Sequence, residues 1–482
     1  MFLGMPDGLK PWNLAAKKTI MLTSDPSHAS KSQIISGFVL SIIIAIIMVW
    51  IELAPHAPNL PVNDQWEFLA PVIYKKSFWE QFNQQILMPR QGLGNLIYSI
   101  PEITGGWSGK GQMATMLSFL ALASCLALGL KSRLQGLQMR DMLLPFIFIK
   151  PVMQDTLVYT PNPSYSSLPV MLLFAVLLVA DHLARRSRES GFLTSALGYL
   201  ILIVLLWLGT WTGFGFFIPI GVIAWTFFEK IRPDADQKLD PFGGLWFFII
   251  SLLPLVFFFI APGNFESDAQ CLDVSKFSLP RWLEFSGRMM LRGIGLRLPS
   301  QLQQVAMLAL PLIIAGCVAA LIQSGKRRRW TPIFFACLIF SATFAASASA
   351  GRWCLGPEGA LASRYTGIMI PVCFCIWLII DSRKWLGWLA IFFLVVGGYR
   401  QLPIDGRLMQ FVTPIRQTIE TCLMQTADMQ KCLSLIPSKS EVPAIWFDMH
   451  ESDVLDKLYI LRQRNLGPWR KATTVNDGTE EN

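Results

Sequence analysis

Residues 351–365 read GRWCLGPEGALASRY, a polar, glycine-punctuated stretch with arginines at positions 352 and 364. A guanidinium is planar and presents paired donors, so it can hold two oxygens of one phosphate at once. Apolar runs long enough to cross a bilayer stand on both sides of this stretch, which pins Arg352, Arg364 and Tyr365 at a membrane face. Other ionisable residues could join them. Asp64, in VNDQWE (62–67), follows the first apolar run. A carboxylate there can take a proton from a hydroxyl or can cap the helix that follows. Glu67 is its partner or a surface charge. Arg90, after Pro89, is a phosphate ligand or an interface anchor. Lys150 falls inside or at the end of an apolar run, and a charge inside a bilayer is a functional candidate because it is costly to keep there.

The elements that would position these groups are membrane spans. Of 482 residues, 53% are hydrophobic and only 15% charged, with 17 Trp and 33 Phe. Soluble chains carry about 25% charged residues. The mean hydropathy of +0.45 agrees with a polytopic membrane protein. The net charge of +9 is therefore read as loop topology rather than as a nucleic-acid footprint.

A span needs about 20 apolar residues. Eleven runs qualify, at 34–54, 112–130, 141–157, 166–184, 191–209, 212–229, 243–262, 303–323, 331–349, 366–382 and 385–399. With eleven spans, every basic cluster falls on one side: Lys10 to Lys31, Lys131 to Arg140, Arg185 to Arg188, Lys230 to Lys238, Lys326 to Arg329, and Arg383 with Lys384. The positive-inside rule then puts the leader 1–33 in the cytoplasm. The core is 34–399, and the outer loops are 55–111, 263–302 and 350–365. The tail 400–482 lies outside as well. The fold class expected is an all-α transmembrane bundle with amphipathic helices at its outer face and a small periplasmic tail.

The outer loops are not plain connectors. In 66–81 apolar and polar residues interleave as in a helix lying on the membrane, and 92–100 reads as a re-entrant or interfacial segment. Residues 281–297 interleave arginines with Trp282, Leu283, Phe285, Met289 and Met290, again as an interfacial helix. Residues 161–165 read as a rigid, structural turn. Five of nine cysteines fall in spans. The other four, Cys271, Cys354, Cys422 and Cys432, all fall outside, where oxidation allows disulfides. Cys422 with Cys432 is the local pair, and Cys271 with Cys354 would tie two loops.

Sequence signatures for nucleotide binding, zinc proteolysis and serine hydrolysis are missing. With only four His, a histidine metal site is not expected. The acid shortly after the first span, the interfacial helices and the outer tail together resemble the GT-C class of membrane glycosyltransferases. More narrowly, the chain is similar to bacterial serotype-converting O-antigen glucosyltransferases. Phe78-Trp79-Glu80-Gln81 matches the start of that group's first-loop motif, but Phe82 to Ile86 replaces its charged part. Gly351, Arg352, Gly356, Ala360, Leu361, Ser363, Arg364 and Tyr365 match its late-loop motif.

The resemblance implies sugar transfer from a polyprenyl-phosphate donor to a surface polysaccharide or lipid-linked glycan, at the periplasmic face of a bacterial inner membrane. Asp64 would be the base. Arg90, Arg352 and Arg364 would hold the lipid phosphate, with Tyr365, Glu67 and Lys150 in the same site. The class leaves a divalent metal open as a cofactor, with no residue assigned to it. The partners implied are membrane lipid, donor and glycan acceptor, with no nucleic acid. An O-antigen-type polymerase is the alternative, supported by the basic loop from Arg281 to Arg297, and a lipid-linked glycan flippase or transporter ranks third.

Overall fold

The computed structural model describes residues 30–57, 59–61, 65–86, 89–103, 108–159, 162–185, 192–231, 241–261, 277–296, 298, 300–312, 315, 330–355, 359–360, 365–380, 385–400, 406–426, 428–435, 451–466 and 469. Among these the chain is helical and forms no strand. The only β-type pairing is the bridge between Gln85 and Arg90.

The first helix shows what surrounds the bundle. Helix α1 (Lys31–Leu53) starts at Ser30, whose hydroxyl accepts from Gln33 N–H while the Gln33 side chain accepts from Ser30 N–H. It buries one stripe, Ile34, Phe38, Ser41, Ala45, Val49 and Leu53, at helical spacing. The opposite face exposes Val39, Leu40, Ile43, Ile47 and Ile51. In water each such residue would forgo about 1.5–3 kcal/mol of burial. A helix apolar all round with only one packed stripe is suited to lipid on the other side.

Five helical stretches are long and apolar enough to cross a membrane: Lys31–His56, Gly109–Gln135, Ser167–Ala184, Gly213–Lys230 and Thr331–Ala350. Shorter apolar helices run Ser195–Thr210, Gly244–Ile260, Gly367–Ile379 and Gly387–Tyr399. These nine coincide with expected runs. The other two expected spans differ. Residues 139–159 and 162–165 form a broken path: a 3-10 turn (Met139–Leu143), one α-turn, a second 3-10 turn (Pro151–Met153), a π-helical stretch (Asp155–Tyr159) and a third 3-10 turn (Pro163–Tyr165). Pro145, Pro151 and Pro163 each open a new short piece, because proline fits a first helical turn but not a helix interior. Of 303–323, the part to Leu308 belongs to a 3-10 stretch, and most of the rest lies outside the described residues.

Further helices are α2 (Gln65–Ile73), α3 (Phe78–Asn83), α4 (Leu93–Ile103), α5 (Gly109–Gln135), α6 (Pro145–Phe148), α7 (Ser167–Ala184), α8 (Phe192–Thr210), α9 (Ile218–Ile231), α10 (Pro241–Ile260) and α11 (Leu279–Gly293). After them come α12 (Thr331–Ala350), α13 (Ile370–Ile379), α14 (Trp385–Arg400), α15 (Gly406–Gln425), α16 (Met429–Leu433) and α17 (Glu451–Gln463).

One pole of the bundle gathers basic residues. Lys131, near the end of α5, pairs with Asp141 at 2.5 Å, both fully buried. The second oxygen of Asp141 accepts from Trp377 Nε1 at 3.1 Å. Arg140 stacks over the Trp377 ring and donates to Ile380 O. Arg133 and Arg185 both reach Asp181. Two clusters expected on one side of the membrane, those following 130 and 184, thus share Asp181, while Arg383 and Lys384 lie outside the described residues.

The other pole carries a second apolar core. Trp66, Phe68, Leu69, Val72 and Ile73 of α2 pack with Ile419, Leu423, Leu458 and Leu461 of the C-terminal helices. The apolar face of α2 therefore meets protein rather than the membrane surface expected for 66–81. The exposed aromatic element in that stretch is α3, with Phe78 and Trp79 outward. Likewise α11 packs its apolar face on the bundle: Trp282 Nε1 donates to Ala346 O at 3.0 Å, and Ser286 Oγ donates to Ser349 Oγ at 2.7 Å. Glu420 joins the C-terminal helices to the first loop, its carboxylate accepting from Asn59 and Leu60 N–H at 2.8 and 2.9 Å.

Two glycines with positive φ separate tight packing from a loose cap. A Cβ on Gly213 would stand 1.8 Å from Ser164 O, whereas one on Gly136 would meet nothing within 4 Å. Gly136→Ala should cost only the conformational term of about 1–2 kcal/mol. Gly213→Ala should abolish the folded, monodisperse protein. Thermal unfolding and size-exclusion profiles of both variants in detergent check this.

Candidate functional site

The site is built around the turn 162–167, which is buried throughout. Asn162 opens it: its side-chain oxygen accepts from Ser164 N–H at 2.9 Å, and its amide donates to Gln91 Oε1 at 2.7 Å. Ser164 Oγ donates to Gln91 O at 2.6 Å. Gly213 N–H donates to Arg90 O at 2.6 Å, and Leu93 N–H donates to Thr212 Oγ1 at 3.3 Å. The segments 90–95, 162–167 and 211–213 thus meet backbone to backbone. Asn95, on α4, donates to Gln81 O at 3.0 Å and to Gln84 Oε1, which fastens the loop before it. The expected re-entrant stretch 92–100 is helical and docked at this pole. Nothing in the sequence reading singled out Gln91, Asn162 or Ser164 for the site. The proline-flanked turn 161–165 was legible only as structural.

Arg90 is buried here. Its guanidinium lies 5.6 Å from the Trp211 ring centroid and 6.0 Å from that of Phe258, and it donates to Ala261 O at 3.2 Å. Burial draws its pKa below the ordinary value. Arginine starts so high that it remains charged. Trp211 is itself fixed by Nε1 donating to Asn83 Oδ1 at 3.0 Å.

Arg352 is half-buried after α12. It donates to the Tyr365 hydroxyl and stands 5.7 Å from the same ring. From Tyr365 a chain of aromatic contacts runs through Phe344 (6.0 Å) to Phe214 (4.7 Å), Tyr165 (5.1 Å) and Phe68 (5.2 Å). A branch runs from Phe344 through Phe217 and Phe216 to Phe258, under Arg90. Arg90 and Arg352 therefore stand on one continuous aromatic wall.

Lys150 is fully buried at the break between α6 and the next 3-10 turn. Its ammonium has Gly293 O at 3.4 Å and Cys373 Sγ at 3.6 Å as partners. The break itself is supported by Tyr399, whose hydroxyl donates to Ile149 O at 2.6 Å. No carboxylate lies within ion-pair distance of Lys150 among the described residues.

Asp64 and Arg364 lie outside the described residues, as do Gly356, Leu361 and Ser363 of the late-loop motif. Glu67 is on an exposed position of α2, with its carbonyl accepting from Gln84 Nε2 at 2.9 Å. Cys422 and Cys432 form a disulfide. Cys354 is disulfide-bonded too, and Cys271 lies outside the described residues. No cluster of metal-ligating side chains occurs among the described residues.

Comparison with protein-family models, curated proteins and solved structures finds no match for the chain. The class rests on the fold itself, an all-α chain with several helices apolar and long enough to cross a membrane.

Arg90→Lys keeps the charge but loses the planar face against Trp211 and Phe258. Thermal unfolding should show a loss of about 1–2 kcal/mol, the range of a partly desolvated cation–π contact.

Proposed function

We propose that the chain is an eleven-span glycosyltransferase of a bacterial inner membrane. It transfers a sugar from a polyprenyl-phosphate donor to a polysaccharide or lipid-linked glycan at the periplasmic face. The observation that carries this reading is Arg352. It is a half-buried guanidinium held by the hydroxyl and ring of Tyr365, on the same aromatic wall as Arg90 and at the pole opposite the basic clusters. Its described partner is a phenol rather than a carboxylate, which suits a guanidinium kept for a phosphate.

In this reading Asp64 takes the proton of an acceptor hydroxyl as its oxygen attacks the anomeric carbon. The bond from that carbon to the phosphate oxygen breaks, and the lipid phosphate leaves with the electron pair. Arg352, Arg364 and Arg90 hold the phosphate and stabilise its growing charge. Each preorganised donor of this kind contributes about 3–4 kcal/mol to a rate.

A second reading, a flippase or transporter for a lipid-linked glycan, draws on one observation. The path 139–165 is a broken helix with the buried Lys150 at its break, and broken helices with buried charge mark transport sites.

Sugar incorporation into cell-surface glycan separates the readings. Asp64→Ala should abolish it, and Arg352→Ala should lower it about 10²–10³-fold with the protein still inserted. Wild-type incorporation in both variants sinks the transferase. Accumulation of complete lipid-linked units inside a deletion strain points to transport instead. Single-unit capping of the lipid core points to a polymerase.

A further inference from the structure

Helix α3 holds apolar rings in the open on a fixed mount. Phe78 is 57% exposed and Trp79 is 67% exposed. At the start of the helix Ser77 Oγ accepts from Glu80 N–H at 3.3 Å, and the Glu80 carboxylate accepts from Ser77 N–H at 2.8 Å. At its end Phe82 O accepts from Gly92 N–H at 3.1 Å, and Asn83 Oδ1 accepts from Trp211 Nε1 at 3.0 Å. A helix of six residues needs such ties, because nucleation costs more than its few hydrogen bonds return. The rings touch one another: the Phe78 centroid lies 5.4 Å from that of Trp79 and 6.2 Å from that of Phe82. In water this arrangement forgoes the burial that rings of this size gain.

Two observations say what covers them. The first is position. Phe82, the third ring of the cluster, packs against the main bundle core, whereas α2 packs in the core shared with the C-terminal helices. Trp211, which Asn83 holds, stands at the end of α10: its ring is 6.0 Å from Phe258, and Arg90 beside both rings donates to Ala261 O. The last two residues of α10, Phe259 and Ile260, are 50% and 74% exposed and continue the apolar outer face begun by Leu252 and Val256. The α3 rings therefore adjoin the rim of a surface suited to lipid.

The second is charge. Lys75 and Lys76, in the turn that leads into α3, are exposed. Glu80, the one carboxylate of 74–83, is turned back on the N–H and hydroxyl of Ser77. Lys75 has φ +52° at the C-terminus of α2, where its N–H bonds to Val72 O and Lys76 N–H bonds to Pro71 O. Glycine suits that backbone best. A lysine kept there carries a conformational cost, and its stem and charge are what glycine lacks. Aromatic rings beside lysines match a bilayer interface, where rings enter the acyl boundary and ammonium groups stay with the phosphates.

We propose that α3 is an interfacial anchor, with Phe78 and Trp79 seated in the leaflet at this pole and Lys75 and Lys76 on the phosphates of anionic phospholipid. Asn83 ends α3 and holds Trp211 against Arg90, so the anchor also fixes the depth of that guanidinium below the headgroups. The proposal stands apart from the transferase reading, because it concerns where the pole sits in lipid rather than what it acts on.

The test uses the full-length protein in nanodiscs of phosphatidylcholine alone or of an equal mixture with phosphatidylglycerol. An environment-sensitive fluorescent amino acid replaces Trp79. Lipid carrying a nitroxide at the headgroup should quench it, iodide in the buffer should not, and the nitroxide quenching should be stronger in the mixed discs. Lys75→Gly combined with Lys76→Gln should abolish the difference between the two discs and melt at or above the wild-type temperature. Full iodide quenching with no nitroxide quenching overturns the proposal, because the rings then face water and await a soluble partner. So does a difference between discs that survives in the lysine variant. A lower melting temperature of that variant in phosphatidylcholine alone overturns it too, because the lysines then serve the fold. A seated probe in a protein whose deletion leaves surface glycans intact keeps the anchor and removes the transferase reading.

Discussion

The pole that carries the candidate site depends on how closely peptide backbones approach Ser164. Its carbonyl faces Gly213, its hydroxyl is bonded to Gln91 O, and a Cβ on Gly94 would stand 1.8 Å from its Oγ. Three chain segments far apart in sequence meet there, joined by one backbone hydrogen bond and by the short side chains of Gln91, Asn162, Ser164 and Thr212. In a membrane setting this is also a solution to backbone satisfaction. Non-helical peptide groups at such depth must bond to protein, and here they bond to one another through Gln91, Asn162, Ser164, Thr212 and Gly213. The aromatic wall, Arg90 and the fully buried turn are consequences of that docking. Loosening it would displace Tyr165 and Trp211 together, because both flank the contact.

The apolar runs were legible in the sequence because length and hydropathy are enough to identify a span. Nine of them became helices where expected. The interrupted path at 139–165 was not legible as a break. Its prolines are each tolerated at a first helical turn, so composition alone reads as one run. The destination of the α2 face was hidden for a different reason. Trp66, Phe68, Leu69, Val72 and Ile73 show the pattern of a helix with one apolar face, and the same pattern serves lipid or protein. What decides it is Ile419, Leu423 and Leu458, far downstream. In the site, Arg352 and Tyr365 were found by residue type and do meet. Gln91, Asn162 and Ser164 are uncharged and carry no pattern. Only the fold makes them neighbours.

The two poles divide the work of charge. At one, Lys131 with Asp141, and Asp181 with Arg133 and Arg185, are ion pairs that tie helix ends together. Of these only Lys131 with Asp141 is buried on both sides, and removing one partner of such a pair is expensive, so these two residues are structural fixtures. At the other, the cations Arg90 and Arg352 rest on aromatic rings. A ring face steadies a guanidinium by attraction to its quadrupole and carries no charge of its own.

The clamp of Glu420 on Asn59 and Leu60 sets an order on biosynthesis. The segment after α1 is made some 360 residues before the glutamate that holds it. Trp469 Nε1 donates to Leu423 O, and Arg464 donates to Val72 O, so the cap closes only when residues near 470 have been made. Until then the first loop waits beside an assembling bundle with its apolar face uncovered. The growing chain thus carries that apolar face uncovered until its own downstream helices pack on it.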